Sequence, residues 1–257
     1  MTSGRAGKSE RHQKILAELR AHSTVRIAEL AAAFSVTTET VRRDLDELSR
    51  EGLLIRTYGG ASYSIIHEPD VTARYQHMVQ ERMRIAERAV ELVERDDVLM
   101  IDAGSTTEHF AHRLATRQLP LTVITNSVMV AAAIAQAPTM RVLICPGEFN
   151  RQEGGSFGTE ATHFLARFHA NKAFIGAGGL TPEGVTEADS RSSWVKRAML
   201  ERARDSVLLV DRSKFGARLF EVVCTLRQLH TLVTDSVPPE DLQASLDAAG
   251  VRVLIAH

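Results

Sequence analysis

The sequence of 257 residues predicts two domains of different class. A small α+β unit of three helices closed by a hairpin comes first, and an α/β domain on a mainly parallel sheet follows. Three observations carry this. Residues 10–50 contain three windows with apolar side chains at helical spacing, and a Gly-Gly turn follows them. Seven short apolar runs, most of them separated by helical windows, occupy residues 84–257. Between the two patterns, residues 63–83 show no sustained period around Pro69 and read as a linker, so the expected domains are 1–62 and 84–257.

In the first unit, Ile15, Leu16 and Leu19 recur at helical spacing and define a supporting helix ending near 22–23. Ile27, Leu30, Ala31 and Phe34 share one face of a second, short helix introduced by Val25 and Ile27. After the turn at Ser35-Val36, Thr37 is placed to cap a third helix, its hydroxyl accepting a backbone N–H two or three residues on. Val41, Leu45 and Leu48 form the core stripe of that helix, which leaves Thr38, Glu39, Arg42, Arg43 and Asp46 facing outward. The run LLIRTYGGAS then supplies a two-stranded wing. A helix that docks on a duplex meets it with its first turns, so Thr37, Thr38, Thr40 and Arg42 suit base edges or phosphates, and Arg43 a phosphate. Ten basic against eight acidic residues over 1–62 is too small an excess to argue nucleic acid by itself.

In the second unit the expected strands are 98–102, 121–125, 141–145, 172–176, 206–210, 230–234 and 251–255. Ligands of parallel sheets bind beyond the carboxyl ends of strands, and four such ends carry chemistry. Asp102, Gly104, Ser105, Thr106 and Thr107 open a helix, where N–H groups, hydroxyls and the helix dipole converge on an anion. Thr125, Asn126 and Ser127 form a second strand-to-helix junction. Gly178 and Gly179 let backbone approach a ligand, and Asp211 and Lys214 supply a carboxylate and a cation. Hydroxyls, amides and one lysine suit a phosphate, while the two aspartates suit sugar hydroxyls, so a phosphorylated sugar or polyol is the expected ligand class. Neither a Walker string nor GxGxxG follows a strand, which disfavours a nucleotide.

The segments RHQKILAEL and VTTETVRRDLDELSREGLLIRTYGGA resemble the N-terminal winged helix-turn-helix of the DeoR family of bacterial transcription regulators. The landmarks IDAGSTT, VITNS, GGSFG, KAFIGAGG, VKRAML, DRSKFG and LVTD resemble, in order, the family's effector domain, which is similar in fold to type A ribose-5-phosphate isomerase. The resemblance implies a repressor of a sugar or polyol catabolic operon that loosens from double-stranded DNA when a phosphorylated sugar binds. Two departures stand out. Tyr58 stands where the family often has His before the Gly pair, and Ser192-Ser193-Trp194 precedes VKRAM where many members carry an acid. Tyr58 is the expected DNA-contacting residue of the wing.

The alternative is a sugar-phosphate isomerase-like enzyme with an appended DNA-binding domain. Such an isomerase needs a carboxylate base beside the reacting carbon, and after the strand ending in GAGG no acid occurs until Glu183. His109 and His112 share a helix with Glu108 but lack further ligands, so no metal and no cofactor are expected. Net charge −1, 44% hydrophobic and 25% charged residues are ordinary for a soluble globular chain. Cys145 and Cys224 lack a CxxC partner, which points to a reduced compartment. The longest apolar run, 128–137, falls far short of the ~20 residues a spanning helix needs, and no secretory pattern opens the chain. A cytoplasmic protein without membrane partner follows, and a homo-oligomer, dimer or tetramer, since paired half-sites multiply the specificity of one winged helix.

Overall fold

The computed structural model describes residues 3–22, 24–50, 54–62 and 78–257. The chain divides into two units, residues 1–69 and 70–257. Most of the expected linker, 63–77, lies outside the described residues.

In the first unit, α1 (Ser3–His22), α2 (Ile27–Ala33) and α3 (Thr38–Arg50) surround a core of Ile15, Leu19, Ile27, Leu30, Val41, Leu45 and Leu48. These are the residues the helical spacing selects. The wing differs from the sequence reading. It has three strands, because β1 (Thr24–Arg26) joins β2 (Ile55–Thr57) and β3 (Gly60–Ser62) in an antiparallel sheet of order β1-β3-β2. Gly60 permits this. A Cβ there would lie 1.9 Å from the Val25 carbonyl oxygen, so only glycine lets β3 approach β1.

In the second unit, α4 (Val79–Ala89) leads into a short 3-10 turn, Val90–Leu92, and then into alternating strands and helices. The order is β4 (Val98–Ile101), α5 (Ser105–Ala115), β5 (Leu121–Thr125), α6 (Val128–Ile134) and β6 (Met140–Ile144). A hairpin of β7 (Glu148–Asn150) and β8 (Gly155–Phe157), then α7 (Thr159–Leu165) and β9 (Ala170–Ile175), come next. The chain continues with β10 (Gly179–Thr181), β11 (Gly184–Glu187), α8 (Ser190–Arg202), β12 (Ala203–Leu209) and β13 (Glu221–Cys224). It closes with β14 (Thr231–Thr234), α9 (Glu240–Ala249) and β15 (Arg252–Ile255).

All seven strands expected from the apolar runs enter one parallel sheet, of order β15-β14-β12-β9-β4-β5-β6. Both faces are covered, which explains runs without polar alternation. Leu99, Ile101, Val123 and Leu209 pack with α4, α5 and α6 on one side, where the Phe110 and Phe174 rings stack at 4.3 Å. Met100, Ile124 and Leu208 face α7, α8 and α9 on the other. The β7-β8 hairpin and an antiparallel sheet of order β10-β11-β13 were not legible, because strands of three or four residues without an unbroken apolar run carry too little pattern.

The strand order makes one place special. From β4 the chain proceeds outward to β5 and β6, and from β9 it proceeds the other way to β12, β14 and β15. The adjacent carboxyl ends of β4 and β9 therefore form a topological switch point, where parallel sheets open a crevice.

Candidate functional site

Two regions carry chemistry, one in each unit. In the first, Ser35 turns the chain with a φ of 53°, and Thr37 Oγ1 then accepts the Thr40 N–H at 3.1 Å. The same oxygen lies 2.9 Å from Thr40 Oγ1, so both hydroxyls are engaged in starting α3. Thr38, Arg42 and Arg43 are exposed on the face opposite Val41, Leu45 and Leu48. Glu39 lies 3.7 Å from Arg42 and 3.5 Å from Arg43, in solvent-exposed pairs that cost little to break. Tyr58 is fully exposed at the tip of the β2-β3 hairpin, beside Gly59 at a φ of 83°.

The residues that aim this surface are ones the sequence reading did not single out. Asp44 is buried on α3, and its two oxygens accept Arg11 Nε at 2.5 Å and Arg11 Nη2 at 2.9 Å, with His12 Nε2 at 3.1 Å. Burial pushes the Asp44 carboxyl up, but the guanidinium and imidazole of α1 outweigh it and hold the group below its ordinary range. Arg56 of β2 bonds Asp46 at 2.8 Å and the Gly60 carbonyl at 2.6 Å, fastening hairpin to helix. The signal for Asp44 was its position in the apolar stripe, three residues after Val41.

In the second unit the switch point is built around Asp102, which is 1% exposed. Its Oδ1 accepts the Gly176 N–H at 3.1 Å, which ties β4 to β9, and its Oδ2 pairs with the Lys196 ammonium of α8. Lys196 also lies 3.4 Å from Glu187, whose Oε1 accepts the Gly178 N–H at 3.1 Å. Burial alone would push Lys196 down, yet the carboxylates of Asp102 and Glu187 hold it above its ordinary range. Burial raises the Asp102 carboxyl and Lys196 opposes it.

The expected ligand residues separate by what their polar atoms already hold. Thr107 Oγ1 lies 2.9 Å from both the Asp102 and Gly104 carbonyls, and Thr125 Oγ1 accepts the Ser127 N–H at 3.0 Å. Asn126 accepts the Ala103 N–H at 3.0 Å and donates to the Ser156 carbonyl at 3.2 Å, while Ser127 caps α6 through Val130 N–H at 3.2 Å. Gly179 closes on the Ala217 carbonyl oxygen, which an added Cβ would meet at 2.0 Å. These residues shape the crevice by bonding its loops to one another. Ser105 and Thr106, in contrast, are buried in the first turn of α5 with hydroxyls that make no hydrogen bond among the described residues. Asp211 is buried and accepts Arg82 Nε at 3.2 Å and Ser213 N–H at 3.0 Å, and Lys214 sits half-buried in the 3-10 turn that follows.

Residues 77–236 match the family described as the DeoR C terminal sensor domain, and residues 11–65 match the DeoR-like helix-turn-helix domain. The chain belongs to the DeoR family. It is a DNA-binding transcriptional repressor of that family, with the α+β unit ahead of the α/β unit. It is 28% identical to the HTH-type transcriptional repressor GlcR of Bacillus subtilis, over 97% of each chain. It is 31% identical to the glycerol-3-phosphate regulon repressor of Escherichia coli, over 90% of this chain and 92% of that one. The solved ribose 5-phosphate isomerase A of Methanocaldococcus jannaschii gives a partial likeness, with a TM-score of 0.41 and 19% identity over 55% of this chain and 56% of that one.

Three charged residues of this DeoR-family chain escaped the sequence reading of the site: Arg82, Glu187 and Lys196. Lys196 stood on the landmark VKRAML, but a lysine inside a helical window reads as solvated until the sheet is assembled, and Glu187 lay between landmarks. Trp194 is 52% exposed on α8, outside the packed core. Burial pushes the Cys145 and Cys224 thiols up to about 12, so neither is a reactive thiolate at neutral pH. No helix among the described residues is long and apolar enough to cross a membrane.

Proposed function

We infer that the protein represses a sugar or polyol catabolic operon and is released from its operator by a phosphorylated sugar or polyol. The observation that carries the effector half is the first turn of α5, where the Ser105 and Thr106 hydroxyls and the helix N-terminus face no internal partner at the switch point. Oriented N–H groups, hydroxyls and a cation suit a phosphate dianion, and a neutral sugar gains little from them. Lys214 and the Gly104 backbone supply the rest of the phosphate contacts, Gly178 leaves room for the ligand by lacking a side chain, and the Asp102–Lys196–Glu187 cluster faces the hydroxyl-bearing end of the ligand. The DNA half rests on α3, whose buried stripe leaves Thr38, Arg42 and Arg43 outward, with Thr37 and Thr40 at its start and Tyr58 on the wing. The division of labour is DNA binding over 1–62, a linker over 63–83 and effector sensing over 84–257. The chain acts in the cytoplasm as a homo-oligomer and catalyses no reaction.

Gel shifts and thermal shifts test the two halves separately. An Arg42→Ala, Arg43→Ala double variant should lose at least tenfold in affinity for a duplex that the wild-type protein selects from random DNA, since one base-reading arginine is worth ~1–3 kcal/mol. Wild-type affinity in that variant refutes the helix assignment. Glycerol 3-phosphate and a panel of hexose phosphates should raise the melting temperature more than their unphosphorylated parents, and Lys214→Ala should reduce that difference. Equal stabilisation by phosphorylated and free sugars refutes the phosphate site and leaves the DNA half intact.

A further inference from the structure

Helix α4 is the first element among the described residues of the second unit, which begin at Met78. Met78 adopts φ 53° and ψ 34°, a left-handed conformation that costs a residue with a Cβ and persists where its surroundings hold it. No side chain caps the helix there. Among the described residues, a pair of ionic contacts holds the first turn of α4 to one loop. Arg82, buried at 2% exposure, reaches Asp211 Oδ2 with Nε and Nη2, each at 3.2 Å. Glu81 Oε1 takes Arg212 Nη2 at 3.2 Å. Arg212 is itself fixed to the end of β14, through its N–H to Asp235 Oδ1 at 2.7 Å and its Nη1 to Asp235 Oδ2 at 2.6 Å.

That loop, 211–214, is the one that carries Lys214. Asp211 organises it further, accepting the Ser213 N–H at 3.0 Å and the Ser213 hydroxyl. Beyond it, the Gly216 N–H bonds the Leu180 carbonyl at 2.8 Å, and the Ala217 carbonyl accepts Thr186 Oγ1 at 3.0 Å, so the loop is also bound to the strands that flank Gly179 and Glu187. A small displacement of the loop on ligand binding therefore has two charged handles on the first turn of α4.

We propose that Arg82 and Glu81 are positioning residues of the regulatory response: their contacts to Asp211 and Arg212 set the start of α4, and ligand occupancy of the 211–214 loop reaches the DNA-binding unit through them. This rests on the effector and operator reading above. The physical requirement is that the ligand bind unequally to the two settings of the latch, and a coupling of about 1.4 kcal/mol suffices for a tenfold change.

The test uses full-length protein and a duplex selected by the wild type from random DNA, first with no sugar phosphate present. Arg82→Gln and Glu81→Gln should each change operator affinity at least threefold while retaining a cooperative melt, and amide exchange should quicken in the peptides covering 79–86. Glu87→Gln is the control. It breaks the exposed pair from the far end of α4 to Arg113 and should leave operator affinity within twofold. Faster exchange with unchanged operator affinity in both Arg82→Gln and Glu81→Gln overturns the proposal, because the contacts are then structural only. A change as large in Glu87→Gln overturns it too. If Arg82→Gln fails to fold, Glu81→Gln decides alone.

In the second arm, the panel compound that most stabilises the wild type is titrated against the operator complexes. Glu81→Gln should bind it within twofold of wild type, yet show less than twofold release where the wild type shows about tenfold. Full release in that variant overturns the coupling. A panel in which no compound stabilises the wild type refutes the effector reading, while the first arm still decides whether the latch governs operator affinity. Failure of the wild type to select any duplex refutes the operator reading and this proposal with it.

Discussion

Glu108 shows how one side chain in the first turn of α5 bears on stability. A carboxylate near a helix N-terminus is normally favoured by the helix dipole. Here it is buried, its Oε2 has no hydrogen-bond partner, and its Oε1 is 3.6 Å from His112 Nε2. Burial pushes the Glu108 carboxyl up, and His112 only partly opposes this. A raised carboxylate means that the folded state holds the proton more tightly than the unfolded chain. Ionisation of Glu108 therefore penalises the fold at neutral pH, and the penalty disappears as pH falls toward the ordinary carboxylate range. Glu108→Gln should raise the melting temperature by about 2–4 °C at pH 7, the shift that ~1 kcal/mol produces in a domain of this size. The gain should vanish below pH ~4, where glutamate in the unfolded chain is protonated as well. Differential scanning calorimetry at several pH values checks it, and a gain that is independent of pH would place the cause elsewhere.

At the scale of elements, the wing depends on the close approach of β1 and β3. Gly60↔Arg26 and Gly60↔Thr57 are paired positions, and the Val25 carbonyl occupies the space a side chain would need. Gly60→Ala must separate the strands, at a cost of about 1–3 kcal/mol for overpacking. Arg56, which bonds the Gly60 carbonyl and Asp46, would then lose its fixed place beside α3. The expected outcome is at least tenfold weaker operator binding by gel shift, with the far-ultraviolet spectrum of the α/β unit retained. Gly59→Ala tests a different cost. It meets no atom, and only its positive φ is strained, so its effect should be smaller.

For the whole molecule, recognition by one winged helix buries too little surface for useful selectivity against genomic DNA, since single modules of this size cover ~600–1,000 Å². Light scattering at micromolar concentration should therefore return a multiple of the chain mass, with or without the duplex. A monomer under both conditions would require another source of specificity. The smaller unit has one core beneath the exposed face of α3, and the larger covers both faces of a seven-stranded sheet that holds its loops in place.

Period and composition by themselves determined the helices of the first unit, the seven strands of the sheet and the loops that end beside one another. Apolar side chains at 3.6-residue spacing or in unbroken runs specify burial locally. Thr37 as a cap was legible for the same reason, because a hydroxyl and the N–H it accepts lie within one turn. Only the tertiary structure decided that Asp102 meets Lys196, that Asp211 meets Arg82, and that Asp44 meets Arg11. Each of these pairs spans tens of residues, and a charged residue in a helical window has the same pattern whether it faces water or a buried carboxylate. The packing of a helix against the sheet, or in the first unit against another helix, brings those partners together, and neither residue of a pair carries a mark of the other in its local sequence.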